Sequence, residues 1–325
     1  MIPINETFDG TFPFMPHFSS AAGFRMHYID EGEGPTVLCL HGEPTWGYLF
    51  RHLTAKLSMH HRVIVPDHMG FGKSETPQDR TYWLQDHISN LEKLVLDLDL
   101  TDITLVMHDF GGPVGMGLAA RQVDRITRVI SINGPTPFGQ PNLEEVLSAN
   151  AAESHWFRWI AEAEKEGRLE QVLHELHFNM LSTLKLNGFE QNNLITETWT
   201  NAYRAAFTTP SETAGALGWA KGLVTGAHLF EVPRSTGVRE RIRELPALAI
   251  WGAADKTLHA KHFIPLFRSV FPSGWVYELN DAGHYSLEDA PETIGALVRQ
   301  FLDLTAKATS SKSVCIEPQR SSRGR

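Results

Sequence analysis

The sequence predicts an α/β fold in which a mostly parallel sheet is flanked by helices and carries an inserted helical segment. Three observations lead to this prediction. Short apolar runs alternate with segments of helical period over roughly the first 135 residues. A polar, helical stretch without strand runs then interrupts the alternation, and strands return near residue 247. Strands that alternate with helices are typical of a parallel sheet covered on both faces.

The individual elements follow in order from the hydrophobic period of each segment. Strands are predicted over residues 24–30, 36–40, 62–65, 103–107, 126–132, 247–251 and 275–279. Helices are predicted over residues 46–57, 84–98, 113–121 and 294–306. We therefore predict the following division: a core of residues 1–135 and 234–308, a helical cap of residues 136–233, and a disordered tail of residues 309–325.

Composition excludes several classes of partner. Hydrophobic residues make up 42% of the 325-residue chain and charged residues 21%, so the chain can bury a sizeable core. The formal net charge of −9 disfavours nucleic acid or an anionic membrane as the main partner. No apolar run approaches the roughly 18 residues of a membrane span.

Cysteine usage and the first residues bear on the compartment. Cys39 lies in an apolar strand and Cys315 in the polar tail, so no disulfide framework is expected. The first residues lack a basic start followed by an apolar stretch, so we expect no signal peptide. We therefore predict a reducing compartment, the cytoplasm.

Asp109 comes two residues after the end of the apolar strand over residues 103–107, and Gly111 and Gly112 then open a helix. This is the layout of a nucleophile elbow, a sharp turn that lifts one side chain above the sheet. Taken alone, Asp109 could equally be an N-cap of the helix that follows.

Two later residues strengthen the catalytic interpretation. Asp255 follows the strand over residues 247–251 and a glycine turn, and His284 follows the last strand. Nucleophile, acid and histidine in this order, each after a strand end, are the order of an α/β-hydrolase triad. We predict Asp109 as the nucleophile, His284 as the general base and Asp255 as the acid that orients it.

A loop after the strand over residues 36–40 completes the predicted site. It contains His41, Gly42 and Glu43. In this fold, such a loop and the residue after the nucleophile supply the backbone N–H groups of the oxyanion hole. We predict the N–H groups of Glu43 and Phe110 as these donors.

An aspartate at the elbow decides the type of bond that is attacked. Unlike serine, a carboxylate is already ionised at neutral pH, because its ordinary pKa is about 3.9. It can displace a leaving group from saturated carbon and form an alkyl ester, which water activated by His284 can open. The residues therefore indicate alkyl halides or epoxides as substrates.

These residues resemble the haloalkane dehalogenases, a family of the α/β-hydrolase fold. The resemblance covers about residues 24–135 and 240–305 and is weak in the predicted cap. It is carried by HGEPTWGYLFR, PDHMGFGKSETP, LVMHDFGGPVGMGLA, WGAAD and AGH, which begin at residues 41, 66, 105, 251 and 282. The resemblance implies hydrolysis of a small apolar halogenated substrate without a cofactor, and it supports the same triad. We predict no metal site.

Two residues depart from the family's pattern. These dehalogenases usually carry tryptophan after the nucleophile, where its indole N–H binds the departing halide, but Phe110 has no such donor. The second halide ligand is often an asparagine, and here that position is Glu43. A charged carboxylate would repel the halide, so we expect Glu43 to point away or to be paired. The expected pocket residues are Trp46, Trp156, Trp159 and Tyr203, with Trp156 and Trp159 as the candidate cap donors.

Three other functions remain open at this level. An epoxide hydrolase uses the same triad but usually needs two cap tyrosines as proton donors, and the predicted cap contains only Tyr203. A β-lactone decarboxylase is similar to some dehalogenase subfamilies. A non-catalytic ligand receptor on the same fold is disfavoured by the complete triad.

Overall fold

The computed structural model describes residues 2–233 and 235–306. Over these residues, eight strands form one sheet. The strands are β1 (His17–Ser19), β2 (Met26–Glu31), β3 (Thr36–Leu40), β4 (Arg62–Pro66), β5 (Ile103–His108), β6 (Ile126–Ile132), β7 (Ala247–Gly252) and β8 (Trp275–Leu279).

Thirteen α-helices accompany this sheet within the described ranges. They are α1 (Arg51–Leu57), α2 (Leu84–Asp97), α3 (Gly111–Arg121), α4 (Leu143–Glu153), α5 (His155–Lys165), α6 (Leu169–His174), α7 (Leu176–Asn187), α8 (Glu197–Arg204), α9 (Ala214–Thr225), α10 (Thr236–Arg243), α11 (Ala260–Val270), α12 (Ser286–Asp289) and α13 (Pro291–Thr305). Among the described residues, no helix is both long and apolar enough to cross a membrane.

The sheet has the order β1-β2-β4-β3-β5-β6-β7-β8. β2 pairs antiparallel with both of its neighbours, β1 and β4. The remaining pairs, from β4 across β3, β5, β6 and β7 to β8, are parallel. Every residue of β3, β5 and β7 is buried, as expected for central strands covered on both faces. The prediction of a mostly parallel sheet flanked by helices is therefore confirmed. Its parallel strands bring the carboxyl ends of β3, β5, β6 and β7 to one edge, where such sheets place their ligands.

The described part of the chain between β6 and β7 contains helices, 3₁₀ turns and loops. Their buried side chains, such as Trp219 and Leu173, belong to the same apolar cluster as Val37 and Ile250 of the sheet. The division into core and cap at residues 135 and 233 stays a prediction. The predicted tail of residues 309–325, with Cys315, lies outside the described residues, whereas Cys39 is buried and has a free thiol.

Several elements differ from their predicted bounds. The segment predicted as one helix over residues 46–57 divides into a 3₁₀ turn at Gly47–Phe50 and α1. β1 was not predicted because three residues are too short for a strand pattern. α11 was not predicted either, although Phe263, Ile264 and Phe267 form a buried stripe. Its internal Pro265 interrupts the helical signal.

Candidate active site

Asp109 occupies a strained turn between β5 and α3. Its φ angle is +51°, in the left-handed region that is uncommon for residues other than glycine. The turn also needs the glycines that follow it. A Cβ atom at Gly111 would lie 2.1 Å from the carbonyl oxygen of Leu40, and one at Gly112 would lie 2.2 Å from that of Pro135. These close approaches explain why two glycines follow Asp109, and the backbone has the geometry of an elbow.

The structure brings Asp109, His284 and Asp255 together from three separate strand ends. Nδ1 of His284 lies 3.0 Å from Oδ2 of Asp255, and Nε2 lies 3.5 Å from Oδ2 of Asp109. All three side chains are buried, with Asp109 the most accessible at 8%. The imidazole therefore contacts one carboxylate with each ring nitrogen, which is the arrangement that a nucleophile, base and acid require.

Asp255 is held by four hydrogen bonds. Its Oδ2 accepts from His284 and, at 2.8 Å, from the side-chain amide of Asn133. Its Oδ1 accepts from the backbone N–H groups of Thr257 and Leu258, both at 2.8 Å. These four donors fix the orientation of the buried carboxylate.

Asn133 was not identified as a site residue from the sequence. It follows β6 with a φ angle of +46°, and its Oδ1 accepts from the N–H of Gly252 and the hydroxyl of Ser286. Asn133 thus ties the Asp255 turn to the loop that carries His284. The available signal was its position at the carboxyl end of a central strand.

Burial and neighbouring charges set the protonation of the pair. Burial alone would lower the pKa of His284, but the charge of Asp255 and the contact with Asp109 raise that pKa to about 10. Burial alone would raise the pKa of Asp109, but His284 holds it below its ordinary value. At neutral pH the two therefore form an imidazolium–carboxylate ion pair, and the carboxylate is ionised and ready to attack.

The predicted oxyanion loop contacts the nucleophile. The backbone N–H of Glu43 donates a 2.8 Å hydrogen bond to Oδ1 of Asp109. Gly42 lies so close that a Cβ atom there would be 2.2 Å from the same oxygen. The second donor, the N–H of Phe110, stays a prediction.

The Glu43 side chain, which was expected to point away from the halide or to be paired, has no hydrogen-bond partner in the part of the chain that the structure describes. It is 4% exposed, and both of its carboxyl oxygens are buried without a hydrogen-bond partner among the described residues. Burial, together with the charge of Asp109, raises the pKa of Glu43 well above its ordinary value. Both causes favour the neutral form of the carboxyl group, which weakens the repulsion that led us to expect a partner.

A cavity of 340 Å³ lies over Asp109. Its wall is predominantly apolar, and it includes residues of the elbow, of α4 and of the segment after α9. The lining residues are Asp109, Phe110, Pro113, Pro135, Pro137, Leu143, Leu147, Ser148, Asn150, Ala151, Phe157, Gly222, Leu223, Gly226, His228, Phe230 and Leu258. Such a cavity fits a small apolar substrate with its reactive carbon near the carboxylate.

The four expected pocket residues do not line this cavity. The indole N–H of Trp46 donates to the carbonyl of Ala202, and the hydroxyl of Tyr203 donates to Glu288. Trp156 and Trp159 stack on each other with ring centroids 5.2 Å apart. These side chains are used in core packing and in buried hydrogen bonds, and the sequence does not show which face of a cap helix points at the nucleophile.

Trp219 of α9 is the tryptophan that lies beside the elbow. Its ring stacks on Phe110, with centroids 4.4 Å apart and an angle of 21° between the planes. Its indole nitrogen is buried and has no hydrogen-bond partner among the described residues. Trp219 does not line the cavity because the ring of Phe110 occupies the wall there.

The loop that carries His284 is bound to the segment after α7. The backbone N–H of His284 donates to the carbonyl of Gly188 at 2.7 Å. The carboxylate of Asp289 accepts from the N–H groups of Gly283, Glu190 and Gln191. The position of His284 therefore depends on contacts with the segment after α7 as well as with its own loop.

The described residues contain no cluster of three or more His, Cys, Asp or Glu side chains placed to hold a metal ion.

Comparison with known proteins places the chain in a family. A family model described as alpha/beta hydrolase fold matches residues 35–291. The chain is 32% identical to a cis-3-alkyl-4-alkyloxetan-2-one decarboxylase of Shewanella oneidensis, over 91% of each chain. It is 30% identical to a haloalkane dehalogenase of Mycolicibacterium paratuberculosis, over 86% of this chain and 89% of the relative.

Solved structures support the fold. The crystal structure of a haloalkane dehalogenase from Bradyrhizobium elkani has a TM-score of 0.75 and 22% sequence identity. The match covers 90% of this chain and 98% of that one. At this identity, the likeness shows the fold alone.

Proposed function

This chain belongs to the α/β-hydrolase fold family and is a haloalkane dehalogenase-like hydrolase, and on that premise we propose that it hydrolyses alkyl halides through an ester on Asp109. One observation carries the proposal. An ionised carboxylate at the floor of an apolar cavity lies 3.5 Å from an imidazole that a second carboxylate orients. The arrangement can form an ester on saturated carbon and then hydrolyse it.

In the first step, Asp109 attacks the carbon that bears the halogen. A bond forms between this carbon and the carboxylate oxygen, and the carbon–halogen bond breaks with its electron pair leaving on the halide. The N–H of Glu43 holds the other carboxylate oxygen and fixes the direction of attack. The apolar wall orients the alkyl chain and excludes water from the carboxylate.

In the second step, His284 activates water. Ester formation removes the negative charge of Asp109, which is one of the causes of the raised pKa of His284. We therefore expect that pKa to fall, so that the imidazole can lose its proton and then accept one from water. Water attacks the ester carbonyl and releases the alcohol, and Asp255 stabilises the imidazolium that forms. Alcohol, halide and a proton are the products.

A second candidate is the opening of a β-lactone, which one observation favours. Among the described residues that line the cavity, none is a tryptophan, and Phe110 has no donor for a departing halide. Two curated relatives, at 32% and 30% identity, are named as decarboxylases of cis-3-alkyl-4-alkyloxetan-2-ones. In this route the expelled carboxylate stays attached to the substrate and departs as CO₂, so no halide has to be bound at the cavity wall.

The lactone route balances without water. Asp109 attacks the saturated ring carbon that is bonded to the ring oxygen. This carbon–oxygen bond breaks, and the ring opens to a carboxylate. The bond from this carboxylate to its neighbouring carbon then breaks, its electrons form the alkene, and Asp109 leaves as CO₂ departs. His284 is not required as a base in this sequence.

Epoxide hydrolysis loses support from the structure. Its expected proton donor, Tyr203, is 1% exposed, donates to Glu288 and does not line the cavity.

Three assays run side by side separate the candidates. Halide release from 1-bromobutane and 1,2-dibromoethane is measured beside alkene release from a cis-3,4-dialkyl-oxetan-2-one and diol release from styrene oxide. The dehalogenase proposal expects halide release. Alkene or diol formation with no halide above the enzyme-free blank would contradict the dehalogenase proposal.

The variant His284→Gln provides the second arm. With an alkyl bromide we expect an ester to accumulate on Asp109, seen as a mass increase of the intact protein. With the lactone we expect continued turnover, because the second step of that route consumes no water. Trapping with the bromide supports the dehalogenase mechanism.

A further inference from the structure

His108 is a buried histidine next to the nucleophile, and the triad gives it no role. It is the last residue of β5 and directly precedes Asp109. Its Nε2 lies 2.9 Å from the backbone carbonyl oxygen of His284. Because a carbonyl oxygen can only accept a hydrogen bond, Nε2 carries a proton and donates it to this bond. The strand that leads to the nucleophile is therefore bonded directly to the main chain of the proposed base.

The imidazole of His108 is neutral at pH 7. Burial and the neighbouring charge of His284 lower the pKa of His108 to about 4. The single proton of the neutral ring is on Nε2, and the bare Nδ1 is buried without a hydrogen-bond partner among the described residues. No second hydrogen bond from the described residues therefore competes with the one to His284.

The main chain of His284 is held on both sides of its side chain. Its N–H donates to the carbonyl of Gly188 at 2.7 Å, and its carbonyl accepts from His108. Gly188 follows α7 in the segment between β6 and β7, whereas His108 belongs to the sheet. Of the two bonds, the one from His108 fixes the base relative to the strand end that carries Asp109.

This bond matters most after the first chemical step. In the free enzyme, Nε2 of His284 lies 3.5 Å from Oδ2 of Asp109, and the charge of the carboxylate attracts the imidazolium. Ester formation removes that charge, so the attraction is lost just before water must be activated beside the ester. Asp255 still orients the ring through Nδ1, and the bond from His108 still holds the main chain.

We propose that His108 is a positioning residue for ester hydrolysis, because its bond to the carbonyl of His284 keeps the base beside the ester on Asp109. This inference rests on the proposed covalent step and deepens it. His108 transfers no proton in this role, so the balance of the reaction is unchanged. It acts on the second step and not on the first, since the N–H of Glu43 orients the attacking carboxylate.

Two replacements separate the hydrogen bond of His108 from the packing of its ring. His108→Phe keeps a planar ring for the contacts with His284 and Tyr285, whose ring centroids lie 4.9 and 5.8 Å away, but it has no N–H donor. His108→Gln loses the ring and keeps a side-chain N–H donor. If the hydrogen bond positions the base, the Gln variant is the more active of the two. If packing alone matters, the Phe variant is.

The experiment measures the two chemical steps in the full-length chain. Each protein is mixed rapidly with saturating 1-bromohexane. Halide release gives the rate of turnover, and the mass of the acid-quenched protein gives the fraction that carries the ester. Together these values separate ester formation from ester hydrolysis.

We expect His108→Phe to slow ester hydrolysis by up to about a hundredfold, which is the cost of misplacing a group by about 1 Å. The ester should therefore accumulate in this variant. His108→Gln should hydrolyse the ester at close to the wild-type rate, and ester formation should be similar in all three proteins.

The inference is overturned if His108→Phe hydrolyses the ester at the wild-type rate or retains more of that rate than His108→Gln. Slower ester formation with unchanged hydrolysis would overturn it as well. If His108→Phe does not fold, His108→Leu, which also has no donor, takes its place under the same criteria. Loss of folding in both would assign His108 to stability alone.

The variant His284→Gln separates this failure from that of the proposed function. If it forms no ester with 1-bromohexane, the covalent step with alkyl halides is wrong and the role of His108 fails with it. If the ester forms and only the expected effects at position 108 are absent, the covalent step stands and His108 is a packing residue.

Discussion

Nε2 of His284 lies 3.5 Å from Oδ2 of Asp109, so the proposed base and nucleophile meet as a buried pair before any substrate is bound. The contact has two consequences for the reaction. It keeps the carboxylate ionised, and it holds the imidazole at the position where water must later attack the ester. Each can be tested separately.

Removal of the nucleophile should abolish turnover. Asp109→Asn keeps the size of the side chain but cannot form the ester, so we expect activity on any substrate to fall by about a thousandfold or more. Initial rates with 1-bromobutane and the dialkyl-oxetanone are the measurement. Substantial activity of Asp109→Asn would show that another group is the nucleophile, provided that deamidation of the new asparagine is excluded by mass.

The ion pair should appear in the pH dependence of stability. The folded-state pKa of His284 is raised to about 10, so its contribution to stability is complete below the ordinary value of about 6.5. That contribution is lost as the pH rises from about 6.5 through 10. We expect the melting temperature of the wild type to decline over this window. The decline should be smaller in His284→Gln, and equal declines in the two proteins would contradict the raised pKa.

Asn133 should act as a positioning residue. Asn133→Ala removes the bonds to Asp255, Gly252 and Ser286, so we expect a loss of about 1–3 kcal/mol of stability for the buried groups left unpaired. We also expect Asn133→Ala to slow hydrolysis of the Asp109 ester more than it slows formation of that ester. Single-turnover kinetics can resolve the two steps. A fall in stability with an unchanged hydrolysis rate would leave Asn133 a purely structural role.

An indole at position 110 should promote halide release. Phe110→Trp places an N–H donor at the cavity wall, and we expect faster halide release by about a hundredfold at most. The stacked ring of Trp219, 4.4 Å away between centroids, leaves little room for the larger side chain. The double variant Phe110→Trp, Trp219→Phe provides that room. No gain in either variant would show that halide departure does not limit the rate.

Tyr203 should be dispensable for chemistry. Its hydroxyl donates to Glu288, which also receives two bonds from Arg51, so it belongs to a buried network away from the cavity. We expect Tyr203→Phe to lower stability by about 1 kcal/mol and to retain turnover. A loss of diol formation from styrene oxide in this variant would instead revive the epoxide hydrolase interpretation.

The sheet and the elbow were predictable because their signals are local. An apolar run, Asp109 and two glycines lie within ten residues of one another, and the buried strand Thr36–Leu40 is apolar from its second residue onward. The partners His284 and Asp255 followed from their order after strand ends. These predictions require only that parallel strands share one edge of the sheet.

The pocket was not predictable for a physical reason. Which face of a helix points at Asp109 depends on how α4, α5 and α9 pack, and a tryptophan fits a core as well as a cavity. Trp156 was chosen by its position in the chain and lies buried against Trp159, whereas Trp219, further along, reaches the elbow. The raised pKa of Glu43 likewise depends on burial without a partner in space, which spacing in the chain does not reveal.

The hydrogen bond from the N–H of His284 to the carbonyl of Gly188 constrains how substrate and product are exchanged. If the helical segment lifted away from the sheet as a rigid lid, the bond would break and the base would be displaced with every opening. Substrate entry and product release that preserve the catalytic geometry would instead require rotamer changes of wall side chains such as Leu143, Leu223 and Phe230. The width of that passage, more than the volume of the cavity, would then set the upper size of the molecules that this enzyme admits.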